Sequence, residues 1–404
     1  METSINNNNR KLILAVLFMG WLASSMSRML INYAMIAMSQ EFNFNSSQSG
    51  LVFSAYFAGY VLMQIPGGML ADKFNTKRLL MCVMVTSSLF TILTGMTHTI
   101  TMLLVVRFAF GIAQGSYSPA AMKIIAVEFP KNELGRAISI FMSAYSVCSF
   151  ILPVFSTTTM AYAGWRVAFY ILGAIELTVA LLFPYIVKGS LNLPKSSPAL
   201  SAGNKSTVSF KMVLRQPIVV LLFVTSFCLN IIQWGVNTWI PTYLSTARNL
   251  SLQTLGWVAT VPAVGSLIGM YLSGIVVDKL KKSGQEGTIA AISLVLCVVL
   301  LYMMYSVKEI GTYALCSTLL SVALSPVNII KSSILSKKLD SSLIGKATGI
   351  TNTGGQLAGL IVPTAMGTIM QVTNGAYLGA FLFMMLFGVI GAGALLATKK
   401  IKLD

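Results

Sequence analysis

The chain has 404 residues, of which 55% are hydrophobic and 10% charged, and its formal net charge is +17. Soluble proteins contain roughly 25% charged residues, so this composition excludes a soluble globular protein and indicates a membrane protein with many spans. The first apolar segment, residues 12–37, is too long for the hydrophobic region of a cleavable signal peptide, and no small-residue cleavage site follows it. We therefore expect it to remain as the first membrane span.

Twelve apolar segments follow one another, and each exceeds the ~20 residues that a helix needs to cross the hydrocarbon core. The sequence predicts an all-α membrane protein with spans at residues 12–37, 48–70, 77–97, 100–127, 135–160, 166–187, 216–245, 252–277, 287–307, 309–332, 345–370 and 373–398. The predicted organisation is a cytoplasmic tail (1–11), a six-helix bundle (12–187), a cytoplasmic linker (188–215), a second six-helix bundle (216–398) and a second tail (399–404).

Basic residues are distributed unequally between the two sides of these spans. With the N-terminus inside, outer loops contain only Arg166, Arg248 and Lys308, and only Arg28 and Arg107 lie within spans. All other lysines and arginines fall in cytoplasmic segments or at the helix ends that face them. The positive-inside rule then predicts that both termini are cytoplasmic. The positive charge is thereby explained by topology, and nucleic-acid binding is not expected.

Residues typical of metal sites and catalysis are few and scattered. The five cysteines lie on five different predicted helices, and the single histidine, His98, lies in a short outer loop. The sequence contains no metal-type spacing, no Ser/His/Asp set and no phosphate-binding loop. We therefore predict no metal site, no cofactor and no enzymatic activity.

Two arginines within the spans are the main candidates for a binding site. Arg28 lies near the middle of the first span, where a guanidinium costs at least ~3 kcal/mol unless it faces water or an anion. Because the first five spans have no acidic residue near mid-membrane, a substrate-facing role is favoured over a structural ion pair. Arg107 either closes a cavity from outside or extends to the interface. Gln114 lies two turns after Arg107, on the same face of that helix.

Other polar residues at membrane depth are weaker candidates. Tyr56, one turn before Tyr60, is explained equally well by a cavity wall and by packing. Glu176 is the only acidic residue near the middle of any span. It is either a proton-coupling site or a neutral carboxyl group hydrogen-bonded to a neighbouring helix, and the second interpretation is favoured.

Residues 67–78, Gly-Gly-Met-Leu-Ala-Asp-Lys-Phe-Asn-Thr-Lys-Arg, are predicted to form a short loop after the second span. Gly67 and Gly68 are expected to let two helices approach closely, and Asp72 to cap a helix or pair with a base. A weaker copy occupies residues 273–280, with Asp278 206 positions after Asp72, about half the chain length. A loop repeated at this spacing indicates a duplicated architecture, which is common in secondary transporters.

This loop, its copy and the twelve spans resemble the major facilitator superfamily. The resemblance implies two six-helix bundles around a central cavity that work by rocker-switch alternating access. It also implies that the loop residues and their copies control the conformation at the cytoplasmic side: Gly68, Asp72, Lys73, Arg78, Gly274 and Asp278. The family usually has glycine where this chain has Asn75, a residue that tolerates the left-handed conformation better than most.

Finer motifs are similar to those of the anion:cation symporter family, whose members carry sugar acids, hexuronates and other small organic anions, usually with protons. The similar segments are residues 54–60, 64–68, 107–115, 164–166 and 239–244, and Asn352 followed by Pro363. The resemblance implies that Arg28 and Arg107 meet the substrate carboxylate. It also implies that Asn352 and polar groups of the seventh span, such as Gln233 and Asn237, hold substrate hydroxyls. Trp165 and Arg166 are expected to be interfacial anchors.

Two departures from this family concern the coupled proton. The family has Asp-Arg in the first span, where this chain has Ser27 and Arg28, and a carboxylate seven residues after the second arginine, where it has Gln114. Serine and glutamine do not titrate, which argues against proton symport by the family's route. Glu176 as a substitute, anion exchange and facilitated diffusion remain alternatives.

The sequence therefore predicts a monomeric, multi-pass secondary transporter of the cytoplasmic membrane that carries a small organic anion. A co-transported or exchanged ion is an open alternative. An efflux carrier for lipophilic or cationic compounds is less favoured, because such pumps usually have an acidic cavity residue and a Gly-Pro pair that the fifth span lacks. A transporter-like sensor is also less favoured, because the chain has no long soluble domain.

Overall fold

The computed structural model describes residues 7–187, 210–280 and 285–401, which form helices and turns without a β-strand. The thirteen α-helices in this part of the chain are α1 (Asn7–Glu41), α2 (Ser46–Lys73), α3 (Thr76–Gly95), α4 (Ile100–Gln114), α5 (Tyr117–Glu128), α6 (Lys131–Ile186), α7 (Phe210–Leu214), α8 (Pro217–Thr246), α9 (Leu252–Leu280), α10 (Glu286–Ser306), α11 (Ile310–Lys338), α12 (Ser341–Val372) and α13 (Leu378–Ala397).

The number of membrane-crossing helices in these described ranges is about twelve. Ten helical segments are long and apolar enough to cross, counting α4 with α5 as one and α6 as one. However, Gly164, at φ +81°, divides α6 into two helices. In addition, α12 has 32 residues and is about 48 Å long at 1.5 Å per residue, which exceeds the hydrocarbon thickness.

Several helix boundaries differ from the sequence prediction. Residues 7–11, predicted as tail, belong to α1, and the predicted fourth span is interrupted between α4 and α5. The last span begins at Leu378, since Asn374 and Gly375 adopt positive φ angles and form a turn before it. The predicted linker lies mostly outside the described residues, and only α7 and a short turn represent its end.

The predicted loop at residues 67–78 is much shorter than expected. Helix α2 continues to Lys73 and α3 begins at Thr76, so only Phe74 and Asn75 connect them. Asn75 has φ −63°, and its side chain accepts a hydrogen bond from the Arg78 backbone N–H at 3.2 Å. The expectation of a left-handed Asn75 is wrong, because an N-cap residue adopts extended backbone geometry.

Glycines allow α2 and α4 to cross with their backbones in contact. A Cβ atom on Gly59 would lie 2.1 Å from the Phe108 carbonyl oxygen, and one on Gly111 would lie 2.1 Å from the Tyr56 carbonyl oxygen. This close crossing places Tyr56 against the face of α4 that carries Arg107 and Gln114. At Gly67 a Cβ atom would also be crowded, but at Gly68 it would meet nothing within 4 Å. The predicted close approach at Gly68 is therefore wrong.

The chain forms two compact units. The first comprises Met1–Asn43 and Ala55–Ala202, and the second comprises Phe44–Ser54 and Gly203–Asp404. In the first unit, α6 packs against α1 and α3 around an apolar core that includes Leu17, Met84 and Phe183. In the second unit, α8 packs against α12 and α13, and α11 packs against α9 and α10.

Candidate functional site

Two guanidinium groups share one aromatic ring in the first unit. The Cζ atom of Arg28 lies 6.0 Å from the centre of the Tyr56 ring and 5.5 Å from that of Tyr145. The Cζ atom of Arg107 lies 5.4 Å from the same Tyr56 ring and 5.1 Å from Phe110. Aromatic faces stabilise cations by about 0.5–2 kcal/mol. Tyr56 therefore helps to hold two positive charges in one small region.

The Arg107 guanidinium is deeply buried, with 2% of the residue exposed. It donates a hydrogen bond to the Arg28 carbonyl oxygen at 3.1 Å, and its buried Nε has no partner among the described residues. Within the same part of the chain, none of the ion pairs includes Arg107. The side chain does not extend to the surface as one alternative expected. A buried cation without a carboxylate partner favours an anionic ligand.

Gln114 connects four helices through hydrogen bonds from its side-chain amide. Its Oε1 accepts a hydrogen bond from the Tyr56 hydroxyl at 2.8 Å. Its Nε2 lies 2.6 Å from Ser24 Oγ, 3.0 Å from the Ser24 carbonyl oxygen and 3.4 Å from Ser87 Oγ. These contacts link Tyr56, whose ring both arginines approach, to α1, α3 and α4 through Gln114.

Glu176 lies fully buried in the second half of α6, beside the same network. Ser87 Oγ donates to its Oε1 at 2.6 Å, and Ser27 and Thr91 donate to its Oε2 at 3.2 and 3.4 Å. Ser87 thus lies within hydrogen-bonding distance of both Glu176 and Gln114. The structure places the one acidic residue of the mid-membrane region within two hydrogen bonds of Gln114, a juxtaposition that sequence spacing did not indicate.

The residues predicted to control conformation have separate surroundings. Asp72 forms an ion pair with Lys123 of α5 at 3.1 Å, and Lys123 also donates to the Ala71 carbonyl oxygen at 2.7 Å. Lys73 is exposed in the last turn of α2. A Cβ atom at Gly274 would meet nothing within 4 Å. The side chain of Asp278 lies outside the described residues.

Trp165 and Arg166, which were expected to be interfacial anchors, both bind one carboxylate. Trp165 is buried and its Nε1 donates to Glu41 Oε2 at 2.8 Å. Arg166 donates to both carboxylate oxygens of Glu41, at 2.8 and 2.7 Å. These bonds join the end of α1 to α6 directly after Gly164.

The second unit contributes the other predicted binding residues. Gln233 and Asn237 are half-buried on α8, and Asn352 is exposed on α12. Their side-chain amides make no hydrogen bond to another residue in the described ranges, so they are available to a polar ligand.

Sequence reasoning missed two lysines. Nothing in the sequence around Lys123 indicates that it forms an ion pair with Asp72, and only the structure shows this contact. Lys331 was counted among the basic residues at cytoplasmic helix ends, because the tenth span was predicted to end at residue 332. Helix α11 instead continues to Lys338, so Lys331 lies two turns before its end and is buried.

Known proteins resemble this chain in sequence and in fold. The family model "Major Facilitator Superfamily" matches residues 17–363. The "Probable sulfoacetate transporter" of Cupriavidus necator is 28% identical, over 96% of this chain and 92% of that protein. The "Probable galactarate/D-glucarate transporter" of Escherichia coli K12 is 27% identical, over 96% and 92%. A crystal structure of a bacterial homologue of the human lysosomal transporter Spinster covers 98% of both chains with a TM-score of 0.83 and 16% identity, which supports the fold alone.

Proposed function

Because the chain belongs to the Major Facilitator Superfamily and is a membrane transporter rather than an enzyme, we propose that it carries a sugar acid or another small carboxylate by alternating access. The observation that supports this substrate class is that Arg28 and Arg107 both lie close to the Tyr56 ring. Two cations in a region of low dielectric attract an anion strongly and repel a cationic substrate.

The relatives favour the same class of substrate. The two named above are described as transporters of sulfoacetate and of galactarate and D-glucarate, all of which are organic anions. In our proposal the substrate carboxylate binds Arg28 and Arg107, with Ser27, Tyr56 and Gln114 shaping that region. Gln233, Asn237 and Asn352 then hydrogen-bond to substrate hydroxyl groups.

We also propose that Glu176 binds the coupled proton. Ser27 and Gln114 cannot titrate, whereas Glu176 lies within hydrogen-bonding distance of Ser27 and Ser87. The groups that contact Glu176 from α1 and α3 are the neutral hydroxyls of Ser27, Ser87 and Thr91. Protonation would remove a buried negative charge from the network that positions Tyr56.

The proposed location is the cytoplasmic membrane, with both termini in the cytoplasm and a monomer as the working unit. The ion pair between Asp72 and Lys123 would hold α2 to α5 in one conformation of the transport cycle. We expect Gly68, Lys73, Arg78, Gly274 and Asp278 to act in the same conformational control.

The test is ligand-induced stabilisation of purified protein, because a ligand that binds only the folded state raises its melting temperature. Sugar acids, hexuronates, dicarboxylates, aromatic acids and cationic dyes are compared on wild type, Arg28→Gln and Lys308→Gln. The Lys308 variant removes one exposed positive charge and serves as the matched control. We expect only anions to stabilise wild type and the control, with the effect lost in Arg28→Gln. Stabilisation of all three proteins by cationic dyes and none by anions would refute the proposal.

A further inference from the structure

A second aromatic ring beside Arg28 has no assigned role in the anion site. Tyr145 lies in the first half of α6, before the kink at Gly164. The Cζ atom of Arg28 lies 5.5 Å from the centre of the Tyr145 ring, closer than the 6.0 Å that separates it from the Tyr56 ring. Helix α6 thereby contributes a direct contact to the first arginine, all within the first unit.

The two arginines of the site are held differently. Arg107 is buried and donates a hydrogen bond to the Arg28 carbonyl oxygen at 3.1 Å. That bond holds the backbone of Arg28, whereas the Arg28 residue is half-buried. An arginine side chain has many rotamers, and ordering it on binding reduces the affinity for a ligand. Contacts between the guanidinium and aromatic rings restrict those rotamers before the anion arrives.

Tyr145 and Tyr56 differ in what their hydroxyl groups do. The Tyr56 hydroxyl donates to Gln114 Oε1 at 2.8 Å. The Tyr145 hydroxyl makes no hydrogen bond to another residue in the described ranges. The contribution of Tyr145 to the site therefore comes from its ring, whose electron-rich face attracts a cation.

Helix packing places the Tyr145 ring beside Arg28. Helix α6 packs against α1, and Cys148, one turn after Tyr145, is fully buried. One turn before Tyr145, the Phe141 ring stacks on Trp21 of α1, with ring centres 5.7 Å apart and an interplanar angle of 29°. These contacts fix the orientation of this part of α6 against α1, and with it the position of the ring.

We propose that Tyr145 is a positioning residue, which holds the Arg28 guanidinium through a cation–π contact in the orientation that binds the substrate carboxylate. This inference rests on the proposed function, since it requires Arg28 to bind the transported anion. The ring of Tyr145 is then needed for affinity and its hydroxyl group is not. Withdrawing electron density from the ring face weakens anion binding through Arg28. Direct contact of the anion with the ring would give the opposite sign, because an electron-poor ring attracts an anion.

The experiment measures the dissociation constants of gluconate and D-glucarate for the purified full-length protein by isothermal titration calorimetry. Wild type is compared with Tyr145→Phe, Tyr145→Leu and the control Tyr162→Leu, a residue of the same helix that is 80% exposed. We expect Tyr145→Phe and Tyr162→Leu to bind like wild type. Tyr145→Leu should bind roughly three- to thirtyfold more weakly, which is the range of a cation–π contact.

A second series separates the charge distribution of the ring from its packing. Phenylalanines that carry one, two or three ring fluorines are incorporated at position 145 and compared with Tyr145→Phe. Fluorine withdraws electron density from the ring face and changes the size of the ring little. Anion affinity should fall with each fluorine, while the melting temperature of the ligand-free protein stays constant. This series also tests the inference if Tyr145→Leu fails to fold.

Three results would overturn the inference. Equal affinity across the fluorinated series would show that the ring only packs. Weaker binding in Tyr145→Phe would assign the effect to the hydroxyl group, and affinity that rises with fluorine would indicate direct contact with the anion. Failure of the proposed function is separate: neither anion then binds wild type, or binding is unaffected by Arg28→Gln. Binding that depends on Arg28 but not on the ring at position 145 refutes this inference alone.

Discussion

The hydroxyl group of Tyr56 donates a hydrogen bond to Gln114 Oε1 at 2.8 Å, across the point where α2 and α4 cross. The guanidinium groups of Arg28 and Arg107 lie 6.0 and 5.4 Å from the centre of the same tyrosine's ring. The amide of Gln114 therefore occupies a position from which a charged side chain would influence both arginines.

Replacement of Gln114 by glutamate is expected to make substrate binding depend on pH. When ionised, the new carboxylate competes with the substrate for the positive charge of the arginines, and when protonated it resembles glutamine. Anion affinity in Gln114→Glu should fall by roughly tenfold as the pH rises through the titration of the new group, and recover at low pH. Isothermal titration calorimetry between pH 5 and pH 8 measures this. A Gln114→Glu protein with the pH profile of wild type would contradict the interpretation.

Adding one methyl group at Gly59 is expected to destabilise the protein. Its Cβ atom would lie 2.1 Å from the Phe108 carbonyl oxygen, so α2 and α4 must separate. Such overpacking costs about 1–3 kcal/mol and should also lower anion affinity, because Tyr56 moves away from α4. Gly68→Ala is the matched control, since its Cβ atom meets nothing within 4 Å. Thermal unfolding in detergent compares the two variants, and equal melting temperatures would show that the crossing is less tight.

The Glu176→Gln variant is expected to separate proton coupling from substrate exchange. Glutamine keeps hydrogen-bonding groups for Ser27 and Ser87 but does not titrate. In proteoliposomes, uptake driven by an inward proton gradient should be lost, while exchange of internal for external anion should continue without pH dependence. Glu133→Gln, an exposed replacement at the start of α6, controls for loss of one carboxylate. Complete loss of exchange in Glu176→Gln would argue for a structural carboxyl group instead.

The two partners of the Asp72–Lys123 ion pair are expected to differ in their effect on stability. The Asp72 side chain is 83% exposed and that of Lys123 is 11% exposed. Exposed ion pairs contribute about 0–1 kcal/mol, so Asp72→Asn should leave the melting temperature nearly unchanged. Lys123→Met also removes the hydrogen bond to the Ala71 carbonyl oxygen and should lower it by several degrees. Differential scanning fluorimetry measures the melting temperatures of both variants. A fall in melting temperature that is equal or greater in Asp72→Asn than in Lys123→Met would contradict this prediction.

Local features were predicted well from the sequence. Hydropathy identified the membrane helices. The predicted end of α11 was about two turns too early, because Lys331 and its polar neighbours resemble the cytoplasmic boundary of a span. Glycine composition identified tight helix packing in general, but it did not distinguish crowded Gly59 and Gly67 from open Gly68. The contact between Trp165 and Glu41 was not predicted, because the two residues lie 124 positions apart in the chain.

The sequence by itself determined that this protein is a membrane protein with many spans, because hydropathy is a property of single segments, and its resemblance to the major facilitator superfamily indicated a transporter. It also identified the two arginines, since a charge within an apolar span is costly wherever the helix packs. Only the tertiary structure decided which polar groups meet: Tyr56 with both arginines, Glu176 with Ser27 and Ser87, and Lys331 with Ser226. Those contacts depend on the orientation in which helices distant in sequence pack against each other, and helical periodicity alone does not specify that orientation.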